Sequence, residues 1–165
     1  MAYRRLATLP LAALVCLVGG CNSGEEPPPP PSGDDDPIVR AFDMAREPAV
    51  VALGLRVAWF VAHEDRLPKD RQEVEAFANV PIWPSLPPHT KAGRPVAYRP
   101  AGDRAFEIVV GDPEGPASEH VVIAIDLPAT MPTEMGAEAF ATWWELELLR
   151  QQTVRLKERL RELGG

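Results

Sequence analysis

The chain has 165 residues, 45% of them hydrophobic, and 24 acidic against 17 basic side chains give a net charge of −7. That length suits one domain with its own core. An acidic balance with no basic run excludes the clustered Lys and Arg that nucleic-acid phosphates require, so no nucleic-acid partner is expected.

Residues 1–20 read as a secretory signal peptide. Arg4 and Arg5 form a positive n-region, Leu6 to Val18 an apolar h-region, and Gly19 and Gly20 lead into Cys21. The h-region is shorter than the roughly 20 apolar residues that span a bilayer. The string Leu17-Val18-Gly19-Gly20-Cys21 resembles the lipobox of bacterial lipoproteins. That resemblance implies cleavage before Cys21, lipidation of its sulfur, acylation of its amine by a palmitate-like chain, and attachment to a membrane through this anchor. Asn22, where aspartate would signal inner-membrane retention, implies the outer membrane and a domain facing the periplasm. Cleavage would remove Cys16 with the leader and leave Cys21 alone, so no disulfide is expected. It would also remove Arg4 and Arg5, leaving 145 residues with a charge of −9. The acyl chains, not electrostatic attraction, would then hold the protein to the lipid.

Residues 21–37 hold the lipidated cysteine and a linker. Pro27 to Pro31 favour extended polyproline II, while Glu25, Glu26 and Asp34 to Asp36 repel one another. At about 3.1 Å per residue such a stalk reaches roughly 50 Å from the bilayer. A single domain follows over 38–165.

Asp36 is placed to cap a helix with Pro37 at its first position, running through Ile38, Val39, Phe42 and Ala45 until Pro48 interrupts it. Residues 48–64, PAVVALGLRVAWFVAHE, are apolar almost all round, with Arg56 the sole charge between Pro48 and Ala62. This is the buried helix that the other elements cover. His63 near its end is expected in solvent. Asp70 and Glu73 then spell a capping box for a short helix burying Val74, Phe77 and Val80.

Residues 81–95 contain five prolines and one tryptophan, Trp83, and form an irregular loop. Trp83 either plugs the edge of the core or acts as a lid over a ligand. Strands are expected over 95–99 and 104–110, where Val96, Tyr98, Phe106, Ile108 and Val110 alternate with other residues. A third, at 120–126, carries the unbroken run VVIAI and reads as covered on both faces. Antiparallel pairing in sequence order is the simplest arrangement.

From Thr133 to Leu163 the chain lacks proline and is rich in Glu, Leu, Arg and Ala, which predicts a helix over 134–163 capped by Thr133. Met135, Ala139, Thr142, Leu146, Leu149, Thr153, Leu156, Leu160 and Leu163 recur at heptad steps, widened by Phe140, Trp143, Trp144 and Leu148 in the first half. In one reading the far half projects, and Leu149, Leu156, Leu160 and Leu163 face a protein partner or a second copy. There Glu145 would oppose Arg150 and Gln152 would oppose Lys157 across a parallel seam. In the other reading the whole helix lies on its own sheet.

The run RLPKDRQEVEAF followed by KAGRPVAYRPAGDRAFEIVVGDPEG, with Gly93, Pro95 and Tyr98 opening a hairpin, resembles the periplasmic half of type IV pilin-like proteins, above all type II secretion pseudopilins. A lipobox stands where that family has a prepilin leader, and Asp112 alone matches its calcium loop. The resemblance therefore implies a helix on a small antiparallel sheet rather than a secretion activity.

Catalytic and metal signatures are missing from the sequence. His63, His89 and His120 share no ligand spacing, Asp112 and Glu114 lack the EF-hand pattern, and Ser85 and Ser118 lack a nucleophile-elbow context. The expectation is an α+β domain, with the buried N-terminal helix and long C-terminal helix packed on an antiparallel sheet of about three strands. It is expected to be no enzyme and to need no metal or cofactor. Its role would be that of a lipid-anchored interaction or scaffold protein of the cell envelope. The alternative is a small-ligand- or peptide-binding lipoprotein using the 81–95 loop.

Overall fold

The computed structural model describes residues 36–77, 83, 85–116 and 118–164. The stretches expected to be signal peptide, lipobox with Cys21 and linker, up to residue 35, and Val80 lie outside them. The described chain is an α+β domain of four helices and three strands: α1 (Pro37–Met44), α2 (Pro48–Glu64), α3 (Arg71–Phe77), β1 (Val96–Pro100), β2 (Ala105–Val110), β3 (Val121–Asp126) and α4 (Ala137–Gly164).

Local signals act as the residues demand. Asp36 accepts the Ile38 amide at 2.8 Å and starts α1 with Pro37 at its first position. Pro48 does not end α1. The helix stops at Met44, a turn follows, and Pro48 opens α2, where its missing amide costs nothing. Helix α2 closes on Asp65 in the left-handed region, φ 50°. Asp70 Oδ1 accepts from the Glu73 amide at 2.8 Å, but Glu73 reaches back to the Lys69 amide, one residue before the cap. Helix α4 begins at Ala137 rather than beside Thr133, because its first backbone bond runs from Phe140 to Gly136 O.

The sheet is an antiparallel meander, β1-β2-β3. Its register pairs Tyr98 with Ile108 and Ile108 with Ile123, so Val96, Tyr98, Phe106, Ile108, Val110, Val121, Ile123 and Ile125 share one face. Helix α2 packs on β1 and β2, α1 on β3, and α4 on α1, α2 and β3. Strand β3 is not buried on both faces as its VVIAI run suggests. It is an edge strand whose Val122 and Ala124 are half-buried.

Helix α4 flanks that open edge. The Gln151 side-chain amide accepts from the Asp126 amide at 3.2 Å and donates to Asp126 O at 2.6 Å, copying a strand partner. Gln152 and Arg155 both donate to Ala124 O, and Arg40 of α1 donates to Ser118 O and His120 O. Gln152 is 3% exposed, so it cannot oppose Lys157 across a seam with a second helix. The inward row of α4 is Phe140, Trp144, Leu148 and Gln152, continued by Arg155 and Arg159.

Candidate functional site

Helices α2 and α4 are pinned together at one point and apart at another. At Gly54 the Trp144 indole lies against the α2 backbone: a Cβ there would sit 3.1 Å from Nε1 and 3.2 Å from Cζ2. Beside this contact a groove of about 530 Å³ opens. Its floor and walls are apolar, with Val51, Ala52 and Leu55 from α2 facing Ala141, Leu148 and Leu149 from α4. The small side chains of Ala52 and Ala141 leave the space between the helices unfilled.

Trp83 lines the groove, as do Ala45, Arg46 and Pro48 from the turn into α2. The tryptophan meets Trp59 edge to face at 5.2 Å between centroids, and Trp59 meets Phe140 the same way at 4.9 Å. The Arg56 guanidinium lies 5.4 Å from the Trp83 ring. Arg56 is buried, and burial pulls its pKa below the ordinary value, partly offset by the charge of Glu75. Arg46 stays exposed over the Phe42 ring at 4.7 Å. Two cations and one acid, Glu145, thus frame an otherwise apolar trough.

The 81–95 loop is held where it meets the domain. Arg71 donates to Val96 O at 2.6 Å and Pro87 O at 3.0 Å, and the Lys91 amide donates to Glu47 Oε1 at 2.8 Å. The Tyr98 hydroxyl donates to Pro68 O at 2.8 Å, and burial raises its pKa, followed by the charge of Glu73.

Two candidate sites read separately from sequence, the Trp83 loop and the leucine row of α4, meet in this groove through Trp83 and Leu149. Leu156, Leu160 and Leu163 do not line it. They continue along α4, Leu156 half-buried and the other two 57% and 61% exposed. The residues that sequence reasoning missed are Val51, Ala52 and Leu55. They sit in a segment apolar all round, and nothing in that pattern distinguishes a covered side from an open one.

The remaining candidates stand apart. His63 is exposed, with Nδ1 2.8 Å from Trp59 O, and its ring lies 4.2 Å from that of Trp59. Asp112 accepts the Glu114 amide at 3.0 Å in an exposed turn. Among the described residues no group of three His, Cys, Asp or Glu could hold a metal ion. No helix among them is long and apolar enough to cross a membrane. Compared with known proteins, no family model, curated protein or solved structure matches the chain.

Proposed function

We propose that this chain is a lipid-anchored interaction protein of the bacterial cell envelope, held to the outer membrane through Cys21, which receives an apolar segment of a partner protein in the groove between α2 and α4. The observation that carries the reading is the groove itself: an apolar trough on a domain surface, lined also by one aromatic side chain, Trp83, the buried Arg56 and the exposed Arg46. An amphipathic helix lays its apolar side into such a trough through residues spaced three and four apart. Buried aromatic anchors supply most of the energy at interfaces of this kind. The same trough favours a second reading, because its 530 Å³ lies within the range of small-ligand pockets, about 300–1,000 Å³.

A photoreactive residue in place of Ala52, in cells that make the protein, tests both. The expected result is one protein adduct of defined size, lost when Leu149→Asp is added and absent when the probe replaces exposed Glu134. A mass gain of small-molecule size at position 52 would establish the second reading instead. No adduct above that of position 134 would overturn both.

A further inference from the structure

The far half of α4 carries a half-buried leucine, Leu156, and two that the domain leaves exposed, Leu160 and Leu163. Leu156, Leu160 and Leu163 fall within about 60° of one another around the helix, given roughly 3.6 residues per turn. Leu160 and Leu163 are more than half exposed. One shoulder of this row is cationic, with Lys157 and, further round, Arg161 exposed; on the other side Arg159 is held by Asp36 and Glu162, and Glu158 falls on the opposite side of the helix. This is the pattern of a helix that rests on a bilayer surface, with leucines toward the acyl boundary and cations at headgroup level.

Asp36, the cap of α1, also lies beside this row. Arg159 Nε lies 2.9 Å from Oδ2 of Asp36, the residue at which the stretch leading back to Cys21 enters the domain. Only 15 positions separate Asp36 from Cys21. A tether of that length, anchored at Cys21, would keep α4 within about 50 Å of the lipid and so at high effective concentration.

We infer that the Leu156–Leu160–Leu163 face of α4 docks on the phospholipid surface to which the chain is anchored, fixing the orientation of the domain and of its groove. This inference rests on the lipid-anchor reading above. A helix lying flat would turn the inferred stalk from a spacer into a short leash.

The test uses the lipidated protein reconstituted in vesicles of phosphatidylethanolamine and phosphatidylglycerol. Leu163→Cys or Glu134→Cys supplies a thiol for an environment-sensitive fluorophore. The expected result is a blue-shifted emission at position 163 that brominated acyl chains quench, and neither effect at position 134. Adding Leu160→Glu should abolish both effects at 163 without changing the circular dichroism of the domain. Emission at 163 that stays water-like and unquenched overturns the inference. So does a fluorophore at 163 that bromolipid leaves untouched but that self-quenches as protein density rises, since the face then meets a second copy. The mass of the N-terminal peptide separates the two levels. If Cys21 carries no acyl chains, the anchor reading falls and the docking with it. If Cys21 is acylated and position 163 remains in water, only the docking falls.

Discussion

Gly54 is the residue on which the approach of α2 to α4 depends. Glycine in a helix interior is normally a liability, and replacing it with alanine gains about 1 kcal/mol of helix propensity. Here the added methyl would press into the Trp144 indole at 3.1–3.2 Å. Trp144 is fully buried, its ring nearly parallel to that of Phe106 with 6.4 Å between centroids, so the ring has nowhere to retreat. Overfilling a packed core costs about 1–3 kcal/mol, which exceeds the propensity gain. Gly54→Ala should therefore lower stability by about 1 kcal/mol, read as a lower urea midpoint. The loss should shrink in a Trp144→Phe background, where the smaller ring leaves room. An unchanged or raised midpoint in the wild-type background would mean that the indole yields.

At the scale of elements, the decisive relation is α4 along the free edge of β3. An uncovered edge strand exposes unpaired amides and carbonyls and invites pairing with another chain. Gln151, Gln152 and Arg155 answer the groups of Ala124 and Asp126 that β2 leaves unpaired, and Arg155 adds an ion pair to the Asp126 carboxylate at 2.7 Å. Gln151→Ala with Arg155→Ala should raise hydrogen exchange at the Asp126 amide strongly while leaving the β2 amides protected, and should increase aggregation on storage. Equal exchange in both proteins would show that the side chains do not seal the edge. The arrangement also explains what was legible in the sequence. The pairing of β1 and β2 was, because alternation over Val96–Val110 assigns one face to the core. The orientation of α4 was legible only in its aromatic half. A helix on a sheet turns its apolar stripe inward, but a helix beside a sheet edge turns hydrogen-bonding side chains inward. Gln152, Arg155 and Arg159 therefore occupy the inner row while Leu160 and Leu163 stay outside. Hydrophobic periodicity carries no signal for that choice. The groove was invisible for a related reason: it is a space between Ala52 and Ala141, residues far apart in the chain that contribute by being small.

At the scale of the whole molecule, some ion pairs link separate elements that share the core and others lie within one helix. Each of the eight pairs among the described residues uses an arginine, a side chain that is always charged in proteins. Arg66, followed by the Lys69 amide, pulls Glu73 down to about 2 from 4.5 and links the end of α2 to α3. Arg159, followed by the Ile38 amide, holds Asp36 below its ordinary 3.8 and links α1 to α4. Arg150, with a smaller contribution from Gln151, lowers Glu147. In each case the fold favours the charged form. The contribution is fully present above the unfolded value and lost as pH falls through the folded one. For Glu73 that window runs from 4.5 down to about 2. Melting temperature should therefore change little between neutrality and about pH 5 and fall below it. Glu73→Gln should melt lower than the wild type at pH 6, and the gap between the two should close progressively toward pH 2. Because Arg66 and Glu73 remain partly exposed, added salt should narrow the pH 6 gap as well. A gap that is constant across pH and salt would mean that Glu73 acts through hydrogen bonds that glutamine reproduces poorly, and that the acid limb of the stability curve is set by other carboxylates.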